Sequence, residues 1–408
     1  MLSPKDLLEI IDTMYPVIDE LNAWITQDMI RRLMARLGRG EAAMLTASDV
    51  WQAEVYQAAG GHYDDLQDEI KKFTKLADKE IKAIFKDAGI KAWNNDDKFY
   101  TAKGYESVKL QQSERMINIL TDLWERTENT MQNFTRTTAS ASQKRLINVL
   151  DNAHMRVITG AQSYNAAVKE AVNELINTQS KVEYSTGHTD TLETAVLRAV
   201  RTGVGQAAGN MAIQGMIERD WDLIRVSAHI GARYGDGGNN PSNHFYWQGG
   251  LYSRTGKTKE YPDFVETTGY GTGEGLCGWN CRHSFGPGDP DHNPYKNFDA
   301  EENKKAYDLS QKQRKAESQI RRCKNSILGV QEAIKNAEDE KLKQELQEEY
   351  GELALRLKNY NSIYNKFCED NGLKKLSDRI SVAKWNRSEA SKASAAVRKR
   401  ENLEKAEG

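Results

Sequence analysis

The sequence predicts a mostly α-helical chain carrying one small α+β module: long N-terminal helices, a glycine-rich central module with short strands, and a C-terminal antiparallel helical hairpin. Three observations lead there. Five of the seven prolines and 14 of the 30 glycines fall between Val226 and Pro294, and such residues end regular elements and mark turns. The flank before that stretch repeats apolar residues at steps of three and four, and the flank after it does so without a break.

Taken in order, residues 1–105 read as a first helical group, closed by the polar stretch AWNNDDKFYTAKGYE (92–106). Residues 106–221 form a long-helix region in which Ala161, Tyr164, Val168, Ala171, Val172 and Leu175 make one apolar stripe. YSTGHTD (184–190) interrupts it. Asp190 followed by Glu193 resembles a capping box, and opens a helix with Leu192, Val196, Ala199 and Val200 inward, running to about Glu218.

Residues 222–298 form the compact α+β module. DLIRVSAH (222–229) leaves a helix for an alternating, strand-like run, and HFYWQGGLYSRTGK (244–257) reads as a hairpin about Gly249-Gly250. In residues 299–372, Leu309, Gln313, Ala316, Ile320, Cys323, Ile327, Val330, Ile334 and Ala337 alternate steps of four and three, the seam of a coiled coil. A second seam, Leu342, Leu346, Leu353, Leu357, Tyr360, Tyr364 and Phe367, follows the short polar EDEK (338–341), so the two helices fold back as an antiparallel pair. Cys323 sits in the seam as a packed, inert thiol. Residues 373–408 are small, polar and weakly periodic, and are expected to be a mobile tail.

Lys plus Arg number 57 against 59 Asp plus Glu, a net charge of −2, which speaks against a generic polyanion-coating protein. The start of the chain has no basic segment before an apolar run, and nowhere do about 18 uncharged apolar residues follow one another. The expectation is a soluble protein without a membrane segment. Four cysteines in 408 residues are too few for a disulfide framework, which favours reduced thiols or a metal site.

GLCGWNCRHSFGPGDP (275–290) holds the densest chemistry. Cys277, Cys281 and His283 offer thiolate and imidazole ligands of the kind zinc takes in sets of four, with His229 or His244 in the same module to supply the fourth. The alternative is that both thiols pack as small hydrophobes while His283 bonds to backbone. The glycine-rich TGYGTGEG (268–275) lacks the Gly-Lys-Ser/Thr ending of a phosphate loop, and reads as turns needing positive φ. Arg233, in SAHIGAR, has a planar fork suited to an anion or to buried carbonyls. No Ser/His/Asp spacing, paired acidic motif or HExxH helix is present, so the sequence supplies no catalytic set. His62, His154 and His188 read as surface or satisfied core histidines.

The blocks TLETAVLRAVRTGVGQ (191–206), VSAHIGAR (226–233), HFYWQGGLYS (244–253) and YPDFVETTGYGTGEGLCGWNCRHSFGPGDP (261–290) resemble the phage minor capsid protein 2 family and, more distantly, the Mu F-type head-morphogenesis proteins. The resemblance maps the family blocks onto His229, Arg233, His244, Trp247, Gln248, Cys277, Cys281, Arg282 and His283. One departure is the longer spacer YGDGGNNPSN before His244, which favours His229 as the fourth zinc donor.

The resemblance implies a non-enzymatic minor protein of a tailed-phage head, made in the bacterial host cytoplasm and carried in the virion at the portal vertex. It would assist capsid assembly, DNA packaging or ejection. Its implied partners are the portal protein, other head proteins and packaged DNA, with no small-molecule substrate. The competing reading is a zinc-dependent enzyme or toxin-like module built on His229, Arg233, Cys277, Cys281 and His283.

Overall fold

The computed structural model describes residues 1–407. In chain order its helices are α1 Pro4–Glu9, α2 Met14–Leu37, α3 Ser48–Ala102, α4 Glu114–Ile158, α5 Tyr164–Asn177, α6 Leu192–Glu218, α7 His244–Trp247, α8 Phe264–Thr268, α9 Ala300–Asn336, α10 Glu340–Asp370 and α11 Arg387–Glu407. Its strands are β1 Lys181–Glu183, β2 Thr189–Thr191, β3 Leu223–Val226, β4 Leu251–Ser253 and β5 Phe285–Pro287. The protein is thus mostly α with a small α+β module, as the sequence predicts. No described helix is long and apolar enough to cross a membrane.

Packing divides the chain into two units, each gathered from three separate segments. The first comprises Met1–Met14, Lys75–Asn133 and Thr194–Lys312; the second comprises Tyr15–Thr74, Phe134–Glu193 and Gln313–Gly408.

In the first unit, β3 is the middle strand of an antiparallel sheet ordered β4-β3-β5, with Ile224 opposite Tyr252 on one side and Pro287 on the other. A core of Met216, Ile224, Val226, Trp247, Tyr252, Phe264, Leu276 and Phe285 lies against this sheet and α6. The approach is close: a side chain at Gly209 of α6 would come within 2.9 Å of the Phe285 ring, so only glycine fits there. Asp222 pins the turn after β4, accepting hydrogen bonds from the hydroxyls of Ser253 (2.6 Å) and Thr258 (2.8 Å) and from the Thr255 backbone N–H (2.9 Å).

In the second unit, α9 and α10 pair antiparallel. Glu317 meets Tyr364, Cys323 meets Leu353 and Gln331 meets Tyr350, so contacts ascend one helix while descending the other. Ile320, Ile327, Val330, Leu342, Leu346 and Leu353 are buried along this pair. Burial pushes the Cys323 thiol up to about 11, and its S–H donates to the Leu353 carbonyl at 3.4 Å, the packed thiol expected from the seam.

Three local expectations are corrected. The polar stretch 92–106 is not a boundary: α3 runs through it to Ala102, because Trp93, Asp96 and Tyr100 keep one face buried while Asn94, Asn95 and Lys98 face outward. Residues 244–257 are not a hairpin. The Asn243 side chain caps α7 by accepting the Tyr246 N–H at 3.2 Å, and the following strand β4 pairs with β3 instead. The segment 373–408, expected as a mobile polar tail, contains α11, whose Ala393 and Val397 are buried with Ala354 of α10. Its alanine-rich composition favours helix, and the small side chains permit close packing.

Candidate metal centre

Three separate pieces of the first unit converge beside the sheet: α7, the loop from Gly275 to Arg282, and the lead into β5. Two residues in the loop take left-handed backbone, Cys277 with φ 58° and Asn280 with φ 57°, which turns the chain sharply enough to face both cysteines inward. The preceding TGYGTGEG works as turns: Gly269 and Gly271 have φ of 62° and 93°, and a side chain at Gly275 would strike the Gly269 carbonyl.

The donor atoms of His244, Cys281 and His283 lie within 4.8 Å of one another. All three residues are buried, between 1% and 4% exposed. Each imidazole has a fixed tautomer. His244 Nε2 lies 2.8 Å from the Glu274 carbonyl, an acceptor only, so that nitrogen carries the hydrogen. His283 Nε2 lies 3.1 Å from Gln248 Oε1, which also accepts the His229 backbone N–H at 3.0 Å and must therefore be the amide oxygen. Both rings thus keep Nδ1 as their lone-pair nitrogen, and His283 Nδ1 is 3.8 Å from the Cys281 sulfur. That sulfur accepts the backbone N–H of His283 at 3.3 Å.

The electrostatics keep the cluster uncharged. Burial, followed by the nearby His229, His244, Arg282 and Arg233, holds His283 well below the ordinary imidazole range. Burial likewise brings His244 down to about 3. Burial raises the Cys281 thiol, against the opposing hydrogen bonds from the backbone of His283 and Cys277, and raises Cys277 further.

The other residues singled out in the sequence surround this trio. Cys277 is buried, its sulfur 3.8 Å from the His283 carbonyl, outside the trio. His229 stacks on His283 with ring centroids 4.4 Å apart and donates from Nδ1 to the Ile230 carbonyl at 2.9 Å. Among the described residues it is His244 that joins Cys281 and His283, despite its longer spacer, because α7 carries it in. Arg233 and Arg282 clamp backbone: Arg233 donates to the carbonyls of Trp279 (2.5 Å) and Glu274 (3.4 Å), and Arg282 to that of Gly231 (2.8 Å). Trp247 is fully buried, 5.0 Å from the His283 ring, whereas Trp279 is 55% exposed.

A constellation missed in the sequence lies in the second unit. Asp28 of α2, His62 of α3 and Ser142 of α4 form a buried relay, with His62 Nδ1 2.7 Å from the carboxylate and Nε2 2.8 Å from the hydroxyl. These residues are 80 positions apart at the widest step, so no local spacing signals them. Ser142 sits in the interior of α4, where backbone N–H groups are engaged along the helix and cannot stabilise an oxyanion. The relay therefore ties three helices together.

No curated protein and no solved structure matches the chain. A family profile described as phage minor capsid protein 2 matches residues 2–356, which takes in the whole of the cluster around His283 and ends within α10. On that match the chain belongs to the phage minor capsid protein 2 family, structural proteins of the phage head.

Proposed function

We propose that the protein serves at the portal vertex of a tailed-phage head, in few copies, assisting capsid assembly, DNA packaging or ejection through binding rather than turnover. The observation that carries this reading is the family match over residues 2–356. The geometry supports it: the donor-rich cluster is closed over by Trp247, His229 and Gln248, and its three donors are at most 4% exposed, so a substrate has no access to them. The partners that fit are the portal protein, neighbouring head proteins and the packaged DNA, with the virion as location. Trp279, exposed on the glycine-rich loop, is an aromatic anchor of the type enriched at protein interfaces.

Quantitative mass spectrometry of purified particles, combined with crosslinking to the portal protein, tests the proposal. Few copies per particle and crosslinks to the portal are expected. Absence from DNA-filled particles, or a distribution over the whole shell, would refute it.

A further inference from the structure

We infer that His244, Cys281 and His283 form a binding site for one zinc-class divalent ion, which staples the glycine-rich loop to α7 and to the sheet. This goes beyond the capsid role and does not depend on it.

Four features converge. First, the three donors come from separate elements yet meet within 4.8 Å, a spacing at which one ion can draw all of them in. Second, each imidazole gives its Nε2 hydrogen to an oxygen outside the trio, the Glu274 carbonyl and Gln248 Oε1, which leaves the lone pair on Nδ1, and that of His283 lies 3.8 Å from the Cys281 sulfur. Such outer hydrogen bonds orient metal-bound histidines. Third, the Cys281 sulfur accepts the His283 backbone N–H, a bond that strengthens when the sulfur is a thiolate. Fourth, the donor types select the ion: thiolate with imidazole suits zinc, whereas magnesium and calcium take oxygen.

The chemistry balances simply. On binding, the Cys281 S–H gives its proton to solvent and the sulfur coordinates as thiolate, while both imidazoles bind as neutral groups. The trio is buried, so the ion is structural: it crosslinks residues 244 and 283 across the intervening loop. Three protein donors leave the remaining position of a tetrahedral ion to a further ligand.

The test uses the full-length protein. As purified, it should contain about one zinc per chain by elemental analysis. Removal by chelator should lower the melting temperature, and added zinc chloride should restore it. Cobalt(II) in place of zinc should show a thiolate-to-metal charge-transfer band. Cys281→Ala should abolish both the zinc and the band, while Cys323→Ser, at the buried thiol of the second unit, should keep both. Gln248→Ala should weaken zinc binding roughly 10–100-fold, as loss of an orienting bond does. Chelated wild-type protein that stays folded and takes up no zinc overturns the inference, as does a folded Cys281→Ala variant retaining a full equivalent. Where Cys281→Ala fails to fold, wild-type uptake and the cobalt spectrum decide alone.

Discussion

The Nδ1 of His62 lies 2.7 Å from the carboxylate of Asp28, and both side chains are buried between helices. Although burial opposes it, the bonds from His62, Arg32 and Arg31 bring the Asp28 carboxyl down to about 2. Removing the imidazole strips a buried carboxylate of one donor and leaves the Ser142 hydroxyl without its ring partner. His62→Ala should therefore destabilise the second unit by about 3 kcal/mol, and Ser142→Ala by only about 1 kcal/mol. Urea unfolding followed by circular dichroism measures both. Equal losses would show that the carboxylate is not the costly partner.

Asp19 sets a pH dependence in the same unit. Burial, helped by Glu193 and opposed by Arg321 and Lys324, raises its carboxyl to about 7. The folded protein then holds a proton that the unfolded chain has released, so this contribution is complete below about pH 4 and is lost as pH rises through about 7. Asp19→Asn, which cannot ionise, should match the parent near pH 4 and exceed it by about 4 kcal/mol at pH 8. Parallel stability profiles across that range would reject the assignment.

The two tryptophans of the central module should behave oppositely. Trp247 is fully buried, and Trp247→Ala should cost about 3–5 kcal/mol. Trp279 is largely exposed, and Trp279→Ala should change stability by no more than about 0.5 kcal/mol while reducing incorporation into particles. Normal incorporation of a folded Trp279→Ala protein would remove this residue from the proposed contact.

The helical pair α9–α10 is held by a continuous buried row, and Ile327 is completely covered. Ile327→Ala should cost about 2–4 kcal/mol by opening a cavity. Thiol reagents should reach Cys323 only after unfolding, since its thiol is buried and raised to about 11. Rapid labelling in the native state would contradict the packing of this pair.

What could be read from the sequence was whatever repeats at helical period or punctuates it. The rows through Ile320, Ile327 and Leu353 specify two helices, and the short EDEK between them specifies their return. Side chains that answer to a distant partner carry no such periodic signal. Asn94 and Asn95 look like a break until Trp93 and Tyr100 are seen to be buried beside them. Likewise, Gly249-Gly250 looks like a hairpin turn, but the Asn243 cap claims the preceding residues. At the candidate metal centre, Cys281 and His283 were legible as neighbours in the chain. His244 was less so, because its approach depends on α7, and the role of Gln248 as common acceptor for His229 and His283 has no sequence signal.

The three-segment make-up of each unit bears on how the chain comes off the ribosome. The first unit needs Met1–Met14 together with Thr194–Lys312, and the second needs residues beyond Gln313, so neither can close until most of the chain has been synthesised. Until then Ile30 of α2 and Ile176 of α5, which lie against Gly329 of α9 in the finished unit, lack that partner. Contacts between segments so far apart slow folding, and they expose nascent chains to aggregation. Shortened gene products ending before α9 would therefore be targets for chaperones and proteases, so that only full-length copies accumulate.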